Sequence, residues 1–103
     1  MQDSQIEISG NLCRIRISEA QLNQREDIFH ILDSLIEKSS PTKVILDCGD
    51  IQRINSNGIG RMVYLRRYLM DEKNVSSEFT NINPHILKTL KSVKVDHLLG
   101  LDS

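Results

Sequence analysis

The chain is predicted to be an α/β domain of two layers, a mixed β-sheet with an N-terminal hairpin and helices packed mainly on one face. Three observations predict this. Apolar and polar residues alternate on either side of Gly10-Asn11. Lys43-Val44-Ile45-Leu46-Asp47-Cys48 is a near-continuous apolar run. Segments of helical period separate the later strand patterns, giving the order strand, strand, helix, strand, helix, strand, helix, which implies parallel strands joined by helices.

The first strand is read from Ile6 and Ile8, which alternate with Gln5, Glu7 and Ser9. The second is read from Cys13, Ile15 and Ile17, alternating with Arg14, Arg16 and Ser18. Gly10-Asn11 supplies the turn of a hairpin, and Arg14 or Arg16 faces Glu7 across it as a solvated pair. Residues 19–23 read as a connector. From about Asn23 the period changes: Ile28, Phe29, Ile31, Leu32, Leu35 and Ile36 fall at helical spacing. Early acids and Lys38 suit the helix dipole, and Ser39-Ser40-Pro41 ends the helix, because proline disfavours helical conformation in the residue before it. The Lys43–Cys48 run reads as a central strand buried on both faces.

Ile59, Met62, Val63, Leu65 and Leu69 mark a second helix, closed by Lys73-Asn74. Val75 to Phe79 reads as a strand. Asn83 is a good N-cap and Pro84 a good first helical residue. They open a third helix with Ile86, Leu87, Leu90 and Val93 on its apolar face, after which Val95, Leu98, Leu99 and Leu101 need a core to cover.

The 103 residues suit one domain with one core, spanning 1–103. A net charge of −1 sets up no field for nucleic acid or anionic lipid. With no Trp, two Phe and two Tyr, there is little to stack on bases. No apolar run approaches a membrane span, and the polar Met1–Gln5 does not read as a signal peptide, so a cytoplasmic protein is expected. Cys13 and Cys48 lack CxxC spacing and read as buried free thiols. His30, His85 and His97 are scattered, which speaks against a metal site, and Asp47 and Asp50 read as turn and cap residues. No cofactor motif and no catalytic set is recognisable.

The stretch Ile54-Asn55-Ser56-Asn57-Gly58-Ile59-Gly60 carries the most functional information. It joins the central strand to a helix and places Ser56 near a helix N-terminus, where free N–H groups and the dipole tolerate a phosphate. On residue type alone Ser56 is a plain N-cap. Gly58 and Gly60 let another backbone approach and leave Ser56 uncovered, with Gly60 also placed to pack against a strand. Ile59 and Met62 anchor the helix. Arg61, Arg66 and Arg67 form either a partner-facing basic patch or a solvated face.

These residues resemble the STAS domains, named for sulfate transporters and anti-sigma factor antagonists, and most of all the small stand-alone bacterial antagonists. That family has an aspartate-serine-serine-glycine-leucine-glycine loop where this chain reads Asn55-Ser56-Asn57-Gly58-Ile59-Gly60. Asn81-Ile82-Asn83-Pro84 matches the asparagine-proline that starts the next helix, and Leu98-Leu99-Gly100-Leu101 resembles the family's glycine-leucine ending.

The resemblance implies a binding switch rather than an enzyme. Ser56 would accept phosphate from a serine kinase with a histidine-kinase-like ATP fold, and a metal-dependent phosphatase would remove it. The unphosphorylated form would capture its partner and the phosphorylated form release it. Asn55, Asn57, Gly58, Ile59, Gly60 and Arg61 would make up the partner-binding loop. Asn55 and Asn57 replace the family aspartate and second serine while keeping hydrogen-bonding capacity. Asn55 removes a charge beside the acceptor, which makes the bare loop less like a phosphorylated one and bears on which kinase recognises it. The output is open between an anti-sigma regulator and a biofilm or second-messenger pathway. The chain is expected to be a monomer when free. The alternative is a constitutive subunit of a lipid-transport or other assembly, with no phosphate cycle.

Overall fold

The alternating N-terminal residues form the predicted hairpin. In the computed structural model, which describes residues 6–24 and 27–101, strand β1 (Ile6–Ser9) pairs antiparallel with β2 (Leu12–Arg16). Gly10 takes φ +59° in the turn, a conformation glycine adopts without steric cost. Glu7 stands opposite Arg14, with an exposed ion pair at 4.0 Å, as the alternation predicts. Gln5, placed in the first strand by the sequence pattern, lies outside the described residues.

β3 (Lys43–Asp47) runs parallel to β2, and β4 (Ser76–Thr80) runs parallel to β3, giving the sheet order β1-β2-β3-β4. Cys13, Ile15, Val44, Leu46, Cys48 and Phe79 share one face with the helices in a single core. The other face is polar, so the domain has two layers as expected.

β3 is an interior strand buried on both faces, as its apolar run predicts: Val44 and Leu46 lie in the core, and Ile45, on the opposite face with its register neighbours Arg14 and Glu78, is only 9% exposed. The long neighbouring side chains, laid along apolar surface with their charged ends in water, account for its burial without a covering helix.

The helical reading from Asn23 to Lys38 changes. Two helices replace it: α1 (Glu19–Asn23) and α2 (Phe29–Ser39). Residues 19–23, read as a connector, are helical because Ser18 forms a capping box with Gln21. The Ser18 hydroxyl accepts from the Gln21 N–H, and the Gln21 side chain accepts from the Ser18 N–H. Arg25 and Glu26, inside the predicted helix, lie outside the described residues. α2 begins where the Asp27 carboxylate accepts from the N–H groups of Phe29 and His30. It ends at Ser40, in left-handed conformation just before Pro41.

α3 (Ser56–Arg67) continues into a π-helical turn, Tyr68–Glu72, that ends near the predicted Lys73-Asn74. α4 (Pro84–Ser92) opens as predicted, with the Asn83 side chain accepting from the His85 N–H and Pro84 in the first turn. Its apolar face is narrower than expected: Ile86 and Leu90 are buried, whereas Val93 is half exposed at the C-cap. In the C-terminal segment Leu99 fills the core, with Val95 and Leu101 packed against it, but Leu98 faces outward. No described helix is long and apolar enough to cross a membrane. All three histidines are exposed, and no described group of side chains is arranged to hold a metal ion.

Asp47, read as a turn residue, does more. Its Oδ1 accepts from the Gly49 N–H at 2.9 Å and from Asn81 Nδ2 at 3.1 Å, while Arg14 and Arg16 approach its Oδ2. Burial works to raise its pKa, but these hydrogen bonds and the two guanidinium charges outweigh it and hold the carboxyl below its ordinary value. Asp50 is exposed and lies 3.9 Å from Arg16.

Both cysteines are free and buried, as expected. Burial, with the Asp47 charge beside it, pushes the Cys48 thiol up to about 12, and burial also raises that of Cys13. Because the thiolate is the reactive form, iodoacetamide at neutral pH should leave both thiols unmodified in the folded protein and alkylate both in urea. Mass spectrometry reads the outcome.

Candidate functional site

The chain leaves β3 through Cys48, whose N–H donates to the Thr80 carbonyl, and turns back so that the Ile51 N–H donates to the Cys48 carbonyl. Ile51 is buried and anchors the loop. From there the loop is gripped by α1. Glu19 Oε2 accepts from the N–H groups of Gln52, at 2.6 Å, and Arg53, at 3.0 Å. Asn23 Nδ2 donates to the Arg53 carbonyl at 2.8 Å, and Asn23 Oδ1 accepts from the Asn55 N–H at 3.0 Å. Side chains of α1 thus pair four backbone groups of a loop that has no regular ladder, as an ordered loop requires.

Asn55 is the N-cap of α3. It has extended dihedrals, and its Oδ1 accepts from the Gly58 N–H at 2.9 Å, while its carbonyl accepts the first intrahelical bond from Ile59. The plain N-cap reading of Ser56 is therefore overturned. Ser56 is the first residue inside the helix, exposed, and its hydroxyl makes no hydrogen bond among the described residues. Asn57 is exposed beside it. Ile59 packs against the core and Met62 lies within it, as expected of the two anchors.

The two glycines do different things. Gly58 is buried, and a Cβ there would collide with Asn23 Oδ1 and lie 2.8 Å from Ile54 Cγ1. It is the contact that lets α1 approach α3. Gly60 is exposed, with nothing within 4 Å of a Cβ. The expected packing of Gly60 on a strand is absent.

The three arginines also separate. Arg61 lies over the Phe29 ring, 4.8 Å from its centroid. Arg66 turns the other way and donates to the Leu98 carbonyl at 2.8 Å, pinning the C-terminal segment. Arg67 is exposed. Of the three, Arg67 is the one that is fully exposed on the Ser56 side of α3.

Sequence reasoning missed Glu19 and Asn23, the residues that hold the loop. Their bonds reach 30 or more positions along the chain, which no local pattern reveals. The Ser18-Glu19-Ala20-Gln21 capping box was the available signal for the helix that carries them.

The STAS domain model matches residues 5–103 of this sequence. The chain belongs to the STAS domain family. No curated protein matches it significantly by sequence. Among solved structures it is similar to a chain from the molecular architecture of the stressosome, described as a signal integration and transduction hub. The TM-score is 0.67 at 15% identity, covering 88% of this chain and 79% of that one. It is similar to a serine-to-glutamate variant of Moorella thermoacetica RsbS, with TM-score 0.66 at 14% identity, covering 89% and 80%. It is also similar to the protein TM1081, solved by NMR, with TM-score 0.66 at 14% identity, covering 91% and 75%. At these identities the structural matches establish the shared STAS fold.

Gly58→Ala should destabilise the domain by about 1–3 kcal/mol through overpacking. Gly60→Ala should stabilise it by about 0.5–1 kcal/mol, because alanine is the better helix former at an open position. Urea denaturation measures both.

The Glu19 carboxyl is held below its ordinary value, first by the Gln52 N–H and then by that of Arg53. A depressed carboxyl contributes above its unfolded pKa and stops contributing as pH falls through the lowered folded value. The Gln52 and Arg53 amide resonances should therefore shift together in an acid window below the ordinary glutamate range, and Glu19→Gln should abolish the shared titration.

Proposed function

We propose that this STAS domain is a non-enzymatic, phosphorylation-controlled interaction switch with Ser56 as its phosphoacceptor. The observation that carries the reading is the division of labour at the start of α3. Asn55 caps the helix, so the Ser56 hydroxyl is spare, exposed and free to be modified. Family membership and the match of Ser56 to the family's phosphorylated serine support it. So does the likeness to a chain of a signal integration and transduction hub.

Modification adds about −1.5 to −2 charges and three acceptor oxygens. At the first helical residue, unpaired N–H groups and the helix dipole favour that charge by about 0.3–1 kcal/mol, so the fold survives. A partner seated over Ser56 must instead desolvate a dianion, at several kcal/mol unless a matching cation meets it. Each ~1.4 kcal/mol is tenfold in affinity, so a fraction of that cost is enough to release the partner.

The partner in this reading is a serine kinase with a histidine-kinase-like ATP fold, acting as an anti-sigma-like or biofilm-pathway regulator, and a metal-dependent phosphatase resets the switch in the cytoplasm. Asn57, Gly58, Ile59, Gly60 and Arg61 complete the contact loop around Ser56 with Asn55, whose neutral side chain keeps the unmodified loop free of a carboxylate charge.

Co-expression with the cognate kinase should yield one added phosphate that maps to Ser56 by mass spectrometry. Ser56→Ala should retain kinase binding and Ser56→Asp should weaken it at least tenfold. A protein that takes no phosphate and binds equally well as Ser56→Asp would instead be a constitutive STAS subunit.

A further inference from the structure

Asn57-Gly58 is the one Asn-Gly dipeptide in the chain. That pairing is chemically labile. The peptide nitrogen that follows an asparagine can attack the side-chain carboxamide, and glycine offers the least hindered nitrogen because it carries no Cβ and turns freely. Two conditions must be met. The nitrogen must lose its proton, and the asparagine must rotate about its Cα–C bond to bring Cγ within reach.

The folded chain withholds both. Asn57 is the second residue of α3, exposed, and its carboxamide makes no hydrogen bond among the described residues. The Gly58 N–H lies in the first turn, where a helix offers it no acceptor of its own. It donates instead to Asn55 Oδ1 at 2.9 Å. A nitrogen held as a donor keeps its proton and is not a nucleophile. Rotating Asn57 would also pull its carbonyl out of the helical ladder, where it faces the N–H four residues on. Gly58 is buried, with Asn23 and Ile54 closing the space beside it. The cap bond that leaves Ser56 spare therefore also keeps Asn57 unreactive.

We infer that Asn57 is a second modification site on this loop, a deamidation site guarded by the Asn55 cap. When the first turn opens, the Gly58 nitrogen bonds to Asn57 Cγ and the Cγ–Nδ2 bond breaks. Nδ2 leaves as ammonia, with the proton given up by the Gly58 nitrogen. Water then opens the cyclic imide. Cleavage of the new Cγ–N bond yields aspartate, and cleavage of the original peptide C–N bond yields isoaspartate. Neither product needs an oxidant or an enzyme. Each leaves a carboxylate beside Ser56, and an aspartate in the first turn suits the helix dipole. Its effect on binding rests on the proposed switch, in which negative charge at this loop releases the partner. The deamidation itself does not rest on it.

The test follows the full chain in mildly alkaline buffer by peptide mapping and mass spectrometry, with the chain unfolded in guanidinium as the unguarded reference. The reference should convert fastest at Asn57. The folded wild type should convert there at least about tenfold more slowly, because a packed turn is seldom open. Asn55→Ala should speed the folded protein by about two- to thirtyfold, the range that follows from the loss of an N-cap. Asn83→Ala removes the cap of α4 instead and should leave the rate close to that of the wild type. By calorimetry with the kinase of the proposed switch, Asn57→Asp should weaken binding about threefold.

A folded wild type that converts as fast as the unfolded reference would overturn the guard. So would equal acceleration by Asn83→Ala and Asn55→Ala, since global unfolding rather than the cap would then set the rate. Conversion at Asn55 in place of Asn57 would overturn the site. Weakened binding in Ser56→Asp but not in Asn57→Asp would leave the switch standing and overturn the effect of deamidation on it. No weakening in either variant, with guarded conversion at Asn57, would refute the switch and support the site.

Discussion

A single hydrogen bond, from the Gly58 N–H to the Asn55 carboxamide, sets the roles at the start of α3. Because Asn55 fills the cap position, Ser56 falls one residue inside the helix and its hydroxyl has no structural duty. The cap in turn depends on α1. Asn23 accepts from the Asn55 N–H with one atom of its carboxamide and donates to the Arg53 carbonyl with another, so it fixes the residue that does the capping. Gly58 admits this arrangement, since any side chain there would occupy the space of Asn23. Three residues from two helices thus form one unit, and the exposure of Ser56 is its by-product.

The sheet holds the other end of the loop. Asp47 ties the end of β3 to Gly49 and to Asn81 just beyond β4, with two arginines compensating its buried charge. The loop therefore begins from a fixed strand end, is pinned at Ile51, is gripped by Glu19, and ends in a capped helix. In the proposed switch, a phosphate on Ser56 would meet a preorganised loop, so its effect would fall on a docked partner rather than on the loop's own arrangement.

The elements with a long period were legible in the sequence: the hairpin by alternation, α3 by its apolar spacing, α4 by Asn83-Pro84. α1 was not, because five residues are too few to display a period, and only its capping box marked it. The burial of β3 on both faces was legible in its apolar run, although the run does not say that long neighbouring side chains rather than a helix cover Ile45. At the candidate site, the loop and the position of Ser56 at the start of a helix were legible, but the register of the cap was not. Asn55 and Ser56 are both good capping types, and the choice is made by Asn23, more than 30 positions away in sequence. The same tertiary contact separates Gly58 from Gly60, which look alike in sequence. Arg66 was grouped with its neighbours for the same reason: its bond to the Leu98 carbonyl is long-range.

The division of labour between Asn55 and Ser56 is tested most directly by the thermodynamic stability of two single variants in urea. Removing a true N-cap side chain costs about 0.5–2 kcal/mol, so Asn55→Ala should lose that much, while Ser56→Ala should stay within about 0.5 kcal/mol of the wild type. A loss of about 1 kcal/mol or more in Ser56→Ala, with Asn55→Ala unaffected, would contradict the account, because Ser56 would then be the cap and its hydroxyl would not be free.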